Sequence, residues 1–440
     1  MITGEIIETA RMIDKEGETL FDWVASQSGG HVNRKQQVLL DPMTGIRGIY
    51  VSENVRKGET LAVLPWRALI APQSTGDMSF CETIAKTAAE LANVHVATAS
   101  TNNNESRKHN PNPYAELLYK TRDGLPQFSP DAVSILTDIV GRHLPPRPER
   151  VNPHLSIWHN ACGGVKNSPT VSADPAQNLK LYEHAALLVQ SRADWITGSF
   201  PGETKAVMVP IYDLYNGRNG KYNNMKTIGH VGREYKIIAS RDIMAGEQIY
   251  NTYGNRGTPV TFTNFGFVED YPQRWTFDVP TMYGAGSIDF ALVERDGGSD
   301  HHVNETGEVQ KSLQVIWNGP NLSLSDLRMA FLMRELDRLY AVKRRLPTSA
   351  AHLDATTGQV LRYYSSLVDA MSEAIRAAGG TYTQPTAVTS GCVIWAVLAC
   401  ILTLGLATIL GRRNAIHGII IKKNRPKSKR RKPPANCKLC

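Results

Sequence analysis

The sequence predicts an α+β protein: small β-sheets split by a helical insertion, a helical C-terminal region and one transmembrane helix. Three observations carry that reading. Strand-like segments lie on either side of a long helical stretch, from Ile46 to Ile70 and again from Val207 to Val268. Two amphipathic stretches follow, Ser323–Arg345 and Thr357–Ala378. Last, Gly391 to Gly411 (GCVIWAVLACILTLGLATILG) is a run of 21 uncharged, mostly apolar residues. At about 1.5 Å per residue such a helix spans roughly 30 Å, the thickness of a bilayer core.

Taken in order, residues 1–40 read as helical, including FDWVASQSGG. Ile46–Ile70 alternates apolar and polar residues around a turn at Lys57-Gly58, which predicts a hairpin. Between Pro72 and Gly202 the periodicity is helical, as in Glu82–Val94 and Lys180–Trp195, with polar or Pro-rich breaks at Thr101–Pro113 and Pro145–Pro153. Because strand-like sequence resumes at Val207, residues of about 75–205 read as an insertion into one domain, 1–274, rather than as a separate unit. Residues 275–385 begin irregularly and then form a helical domain. Residues 412–440 form a basic, Pro- and Lys-rich disordered tail.

The net charge of +8 belongs to that tail. Residues 412–440 hold eleven Lys/Arg and no acid, which leaves the preceding body at −3. A mildly acidic body gives no warrant for direct nucleic-acid binding. Only Cys81 and Cys162 lie in the body, too few for a disulfide scaffold, and no cysteine set has zinc-ligand spacing with histidine partners, so no metal site is expected. There is no P-loop, no Gly-x-Ser-x-Gly and no His-Glu-x-x-His.

The motifs of most interest are VMVPIYDLYNG (207–217), ASRDIMAGEQIYNTYGN (239–255) and TNFGFVED (263–270), together with RGIYVSENVRKGETLAVLP (47–65). Together they resemble the SET domain of the plant RuBisCO large-subunit methyltransferase and actin-histidine methyltransferase class, clearly over residues 15–70 and 185–270. The resemblance implies a SET fold with a knot-like core and a helical substrate-binding domain in 275–385. It also implies S-adenosylmethionine as cofactor and methylation of a protein side-chain nitrogen, most simply lysine.

Carried over residue by residue, it makes Tyr253 the catalytic tyrosine. Gly48, Arg192, Asp213, Asn216, Gly217 and Phe267 become cofactor-binding residues, and Asp194 and Arg256 substrate-binding ones. The chemistry agrees: a lysine amine must be neutral to attack a methyl group, and a narrow apolar channel disfavours its charged form. A tyrosine hydroxyl can position that amine without titrating itself. Arg192 in Ser-Arg-Ala-Asp suits bidentate capture of a carboxylate. The family has His where this chain has Gly217. A catalytically inactive SET-derived binding module is therefore the alternative, and His at 217 is expected to keep or raise stability. The implied partners are a protein substrate and, through the C-terminal helix, a membrane. The expected location is an organelle outer membrane or the endoplasmic reticulum, with the catalytic domain facing the cytosol.

Overall fold

The computed structural model describes residues 12–40, 46–73, 78–101, 112–120, 125–164, 175–198, 204–295, 302–303, 309–310, 312–318, 324–347 and 353–382. These belong to one compact unit that ends at Tyr382.

Asp14 caps helix Lys15–Ser26 by accepting from the Glu16 N–H, and Leu20, Phe21 and Val24 form its buried face. The helix is shorter than the helical reading of 1–40: strands His31–Val32 and Gln36–Leu40 follow it. The strands Arg47–Val51 and Thr60–Leu64 form as expected, but they do not pair as a hairpin. Arg47–Val51 lies antiparallel to Gln36–Leu40 in a three-stranded sheet. Thr60–Leu64 lies between His31–Val32 and Tyr235–Ala239 in a four-stranded sheet that Met225–Gly229 completes. Periodicity locates strands correctly here, while pairing is decided by other segments, some near in sequence, such as Gln36–Leu40, and some far away, such as Tyr235–Ala239.

The predicted helical stretch contains helices Phe80–Thr101, Pro113–Lys120, Pro130–Val140, Ile157–Asn160 and Pro175–Arg192. Cys81 and Cys162 are joined as a disulfide, with Cα atoms 5.4 Å apart, so the body's two cysteines form a single cross-link.

After Tyr250, strand Tyr250–Asn251 runs parallel to Asn216–Gly217, pairing Tyr250 with Asn216 and Asn251 with Gly217. This crossing is what the knot-like core requires. In the C-terminal region the two amphipathic stretches form helices as read, and the irregular beginning is a sheet. Strands Gln273–Val279, Gly286–Glu294 and Leu313–Trp317 form an antiparallel sheet beneath helices Asp326–Lys343 and Ala355–Ala377. Their alternation is strict: Gln273, Trp275, Phe277 and Val279 are buried while Thr276 and Asp278 face out.

Two hydrophobic clusters result. One gathers Leu20 to Ile249, including Leu61, Leu187 and Ile237. The other gathers Trp275, Phe290, Leu336 and Tyr363, and recruits Phe128, Leu136 and Ile139 from the helical stretch.

The transmembrane expectation is corrected. Among the described residues no helix is long and apolar enough to cross a membrane. Residues 391–411 themselves lie outside the described residues, as does the basic tail. The membrane-anchored, cytosol-facing location rested on that helix and is corrected with it, and attachment to a membrane partner is not shown.

Candidate active site

The parallel pairing of 216–217 with 250–251 brings Asn216, Gly217, Gly48 and Tyr253 together. Asn216 donates from Nδ2 to the Arg47 carbonyl at 2.9 Å, which ties the crossing to strand Arg47–Val51. Gly48, on that strand, is buried, and a Cβ there would lie 2.2 Å from Nε2 of Gln248 and 2.9 Å from Nδ2 of Asn216. Only a residue without a side chain admits both amides.

Gly217 is explained differently from the sequence reading. A Cβ at this position would lie 2.2 Å from two ring carbons of Tyr253. The Tyr253 ring thus occupies the space that a side chain at 217 would need. The expectation that His at 217 preserves stability is corrected on that ground: the obstacle is a packed aromatic ring. Tyr253 also packs on Phe265 at 4.6 Å and on Phe267 at 5.3 Å between centroids. Phe267 therefore stands beside the catalytic candidate, half-buried, in a wall of three aromatic rings.

Arg192, the last residue of helix Pro175–Arg192, reaches Asp213 at 3.9 Å. Asp213 is almost fully buried, and burial pushes its carboxyl up to about 6 against the pull of Arg192 and Arg47. The Tyr114 hydroxyl bonds the Asp213 carboxyl, while Oδ1, like Nε2 of Gln248, is buried without an aligned hydrogen-bond partner among the described residues. Just before it, Ile211 is fully buried with φ +69° and ψ −40°, a conformation that β-branched residues rarely adopt. Such strain, of about 1–3 kcal/mol, persists only where surrounding packing enforces it.

Burial raises the Tyr253 pKa, with Arg192 opposing and Asp213 and Glu269 reinforcing. The phenol therefore stays protonated at neutral pH. Tyr253, Arg192 and Asp213 share one electrostatic environment.

Asp194 opens strand Asp194–Thr197, accepting from the Tyr235 hydroxyl at 2.5 Å and from the Trp195 N–H at 2.9 Å. Burial raises its pKa, with the Tyr235 bond opposing. Its oxygens are engaged within the fold. Arg256 is exposed; its Nε donates to the Tyr253 carbonyl at 2.9 Å and its guanidinium lies 5.6 Å from the centre of the Phe265 ring. It braces the Tyr253 turn.

Gln248 and Tyr212 belong to the site but escaped sequence reasoning. Tyr50 donates to Oε1 of Gln248 at 2.9 Å, which turns its amide nitrogen toward Gly48 and Asn216. The signal was its place two residues after the Gly246 turn, on the same strand face as Tyr250. Tyr212 packs on Tyr235 at 5.9 Å, and burial pushes its pKa far up, with Asp194 adding to the effect. Its only sequence signal was adjacency to Asp213.

The arrangement suits a zwitterionic ligand with an aromatic end. Arg192 answers a carboxylate, the Asp213 oxygen and the Gln248 amide answer a donor and an acceptor, and Gly48 lets the Gln248 and Asn216 amides approach the backbone. Phe267 offers an apolar ring face.

No family model matches the chain. The chain is similar to Ribosomal lysine N-methyltransferase 4 of Schizosaccharomyces pombe (strain 972), 23% identical over 154 residues, covering 31% of this chain and 30% of that protein. The match thus spans about three tenths of the curated relative's length. Among solved structures, the chain is similar to the SET domain of LSMT bound to MeLysine and AdoHcy, at 12% identity and a TM-score of 0.45 over 84% of this chain and 95% of that one. It is also similar to Rubisco LSMT bound to AdoMet, at 12% identity and a TM-score of 0.41 over 88% of this chain and 100% of that one.

Proposed function

We propose that the chain is an S-adenosylmethionine-dependent protein N-methyltransferase that acts on lysine. The observation that carries this reading is the crossing itself. One parallel pairing brings Asn216, Gly217 and Tyr253 together beside Gly48, with the Arg192–Asp213 pair and two buried polar atoms without an aligned hydrogen-bond partner alongside. Buried polar atoms without partners cost roughly 1–3 kcal/mol each, so a ligand that satisfies them is favoured.

When bound, S-adenosylmethionine supplies a methyl group on a positively charged sulfur. Arg192 would meet the carboxylate of its amino-acid end and Asp213 its ammonium. Asn216 and Gln248, admitted by Gly48, would hold the neighbouring polar groups, and Phe267 the adenine. Tyr253 is no base, because its phenol stays protonated. Its hydroxyl orients the acceptor amine, which reaches the site neutral after losing its proton to water. The aromatic wall of Tyr253, Phe265 and Phe267 disfavours the charged amine and excludes water. The S. pombe relative, named a lysine N-methyltransferase, supports lysine as the acceptor.

Calorimetry on the fragment 1–385 tests the reading. Saturable binding of S-adenosylmethionine and its demethylated product is expected. Tyr253→Phe should lower turnover by about 10²-fold or more with little change in cofactor affinity. Absence of binding for both ligands at millimolar concentration would point to a non-catalytic binding module. Equal loss of turnover and affinity would make Tyr253 structural.

A further inference from the structure

Three metal-ligating side chains converge outside the candidate active site. His154 precedes the short helix Ile157–Asn160, His159 lies on it, and Glu183 is on helix Pro175–Arg192. Nε2 of His159 is 2.8 Å from Oε1 of Glu183, and Nδ1 of His154 is 3.8 Å from the same oxygen. All three ligand atoms lie within 4.8 Å of one another. Nδ1 of His154 and Nε2 of His159 are buried and lack an aligned hydrogen-bond partner among the described residues. At 3.8 Å the His154 nitrogen is too far from the Glu183 oxygen for a hydrogen bond, so it faces the cluster without one.

The backbone that presents the histidines is held firmly. Asn152 Oδ1 accepts from the His154 N–H at 2.7 Å, and Ser156 Oγ accepts from the His159 N–H at 3.3 Å. Asn160 donates from Nδ2 to the carbonyls of Leu155 and Ser156 at 3.1 and 3.0 Å. The Trp158 N–H donates to Gln190 Oε1 at 2.7 Å, which fixes the loop to the helix that carries Glu183.

We infer that His154, His159 and Glu183 form a site for a divalent transition metal of the zinc class, clamping this loop to helix Pro175–Arg192. Two imidazoles and a carboxylate are a donor set that zinc accepts, with water filling the remaining position. The two rings stack at 3.9 Å between centroids, so one must turn to bring its nitrogen into line with the ion. His154 has the room, its side chain being 31% exposed against 19% for His159. No local sequence motif marks the set, because the carboxylate comes from a different helix.

The experiment is titration of the chelator-treated full chain with zinc(II), read by calorimetry and by Tm, with cobalt(II) absorption reporting the ligand field. Saturable binding and a zinc-dependent rise in Tm are expected, and both should persist in the Cys437→Ser/Cys440→Ser variant, which removes the tail thiols. His154→Gln and Glu183→Gln should each weaken binding by more than about tenfold and abolish the Tm rise. Both side chains are partly exposed, so the zinc-free Tm of each variant should stay near that of the unaltered chain. Undiminished zinc binding in both variants, or no saturable binding to the unaltered chain, overturns the site.

Discussion

The C-terminal cluster and the candidate site differ in how they hold their buried carboxylates. In the C-terminal cluster the buried Glu335 pairs with Arg338 at 2.7 Å, and Arg338 also donates to the carbonyls of Asp138 and Ile139 at 2.8 and 2.6 Å. Buried Gln273 donates to Ser366 Oγ at 3.2 Å and to the Glu269 carbonyl at 2.8 Å. Around the crossing, by contrast, Asp213 stands 3.9 Å from its nearest cation with one oxygen lacking an aligned hydrogen-bond partner, beside a left-handed isoleucine. One region is built for stability; the other keeps polar valences open and backbone strained, as a ligand site does.

That contrast can be broken by substitution, and the largest effect should come from the stable side. Trp275 is fully buried between Phe277 and Tyr363. Trp275→Ala should cost about 3–5 kcal/mol of unfolding free energy. Denaturant melts should show that loss, while cofactor affinity of the remaining folded protein stays unchanged. A parallel loss of affinity would mean that the two regions are not separable.

Glu269 lies between the regions, and its titration sharpens the comparison. It accepts from Asn219 at 2.8 Å, and burial pushes its pKa up to about 7 from 4.5. An acid whose pKa is raised by folding binds more protons folded than unfolded across that window. Its contribution is therefore fully present below about pH 4.5 and is lost as pH rises through about 7, by up to about 3 kcal/mol. Asp213, pushed up to about 6, acts in the same direction. Stability should fall between pH 5 and 8, and Glu269→Gln should flatten most of that slope in urea melts at each pH. An unchanged slope would assign the effect elsewhere.

The smallest effect concerns Gly217. Because a Cβ there meets the Tyr253 ring, Gly217→Ala should cost about 1–3 kcal/mol and displace that ring. Tyrosine fluorescence and Tm would register the change. A neutral result would show that Tyr253 moves freely and is not held for positioning.

Much of the candidate site was legible without coordinates, because the residues proposed for it reside in short contiguous motifs. Asp213, Asn216 and Gly217 fall within one eleven-residue stretch, and Tyr253, Arg256 and Phe267 follow closely along the chain. Strand positions were likewise readable from alternation at Arg47–Val51 and Thr60–Leu64. The same signal was present and overlooked in Gln273–Val279, where Trp275 and Phe277 alternate with polar residues.

By itself the sequence determined what is local: where chain segments are extended or helical, which turns need glycine, and which chemical groups cluster along the chain. Tertiary structure alone decided the pairing of Thr60–Leu64 with Tyr235–Ala239, and the transfer of Phe128, Leu136 and Ile139 to the C-terminal core. It also decided the packing of Tyr253 over Gly217 and the meeting of His154, His159 and Glu183. Periodicity records which face of an element is apolar, but many partners can cover an apolar face. Which partner does so depends on chain connectivity and on the volumes that remain, and neither is encoded in any short window of residues.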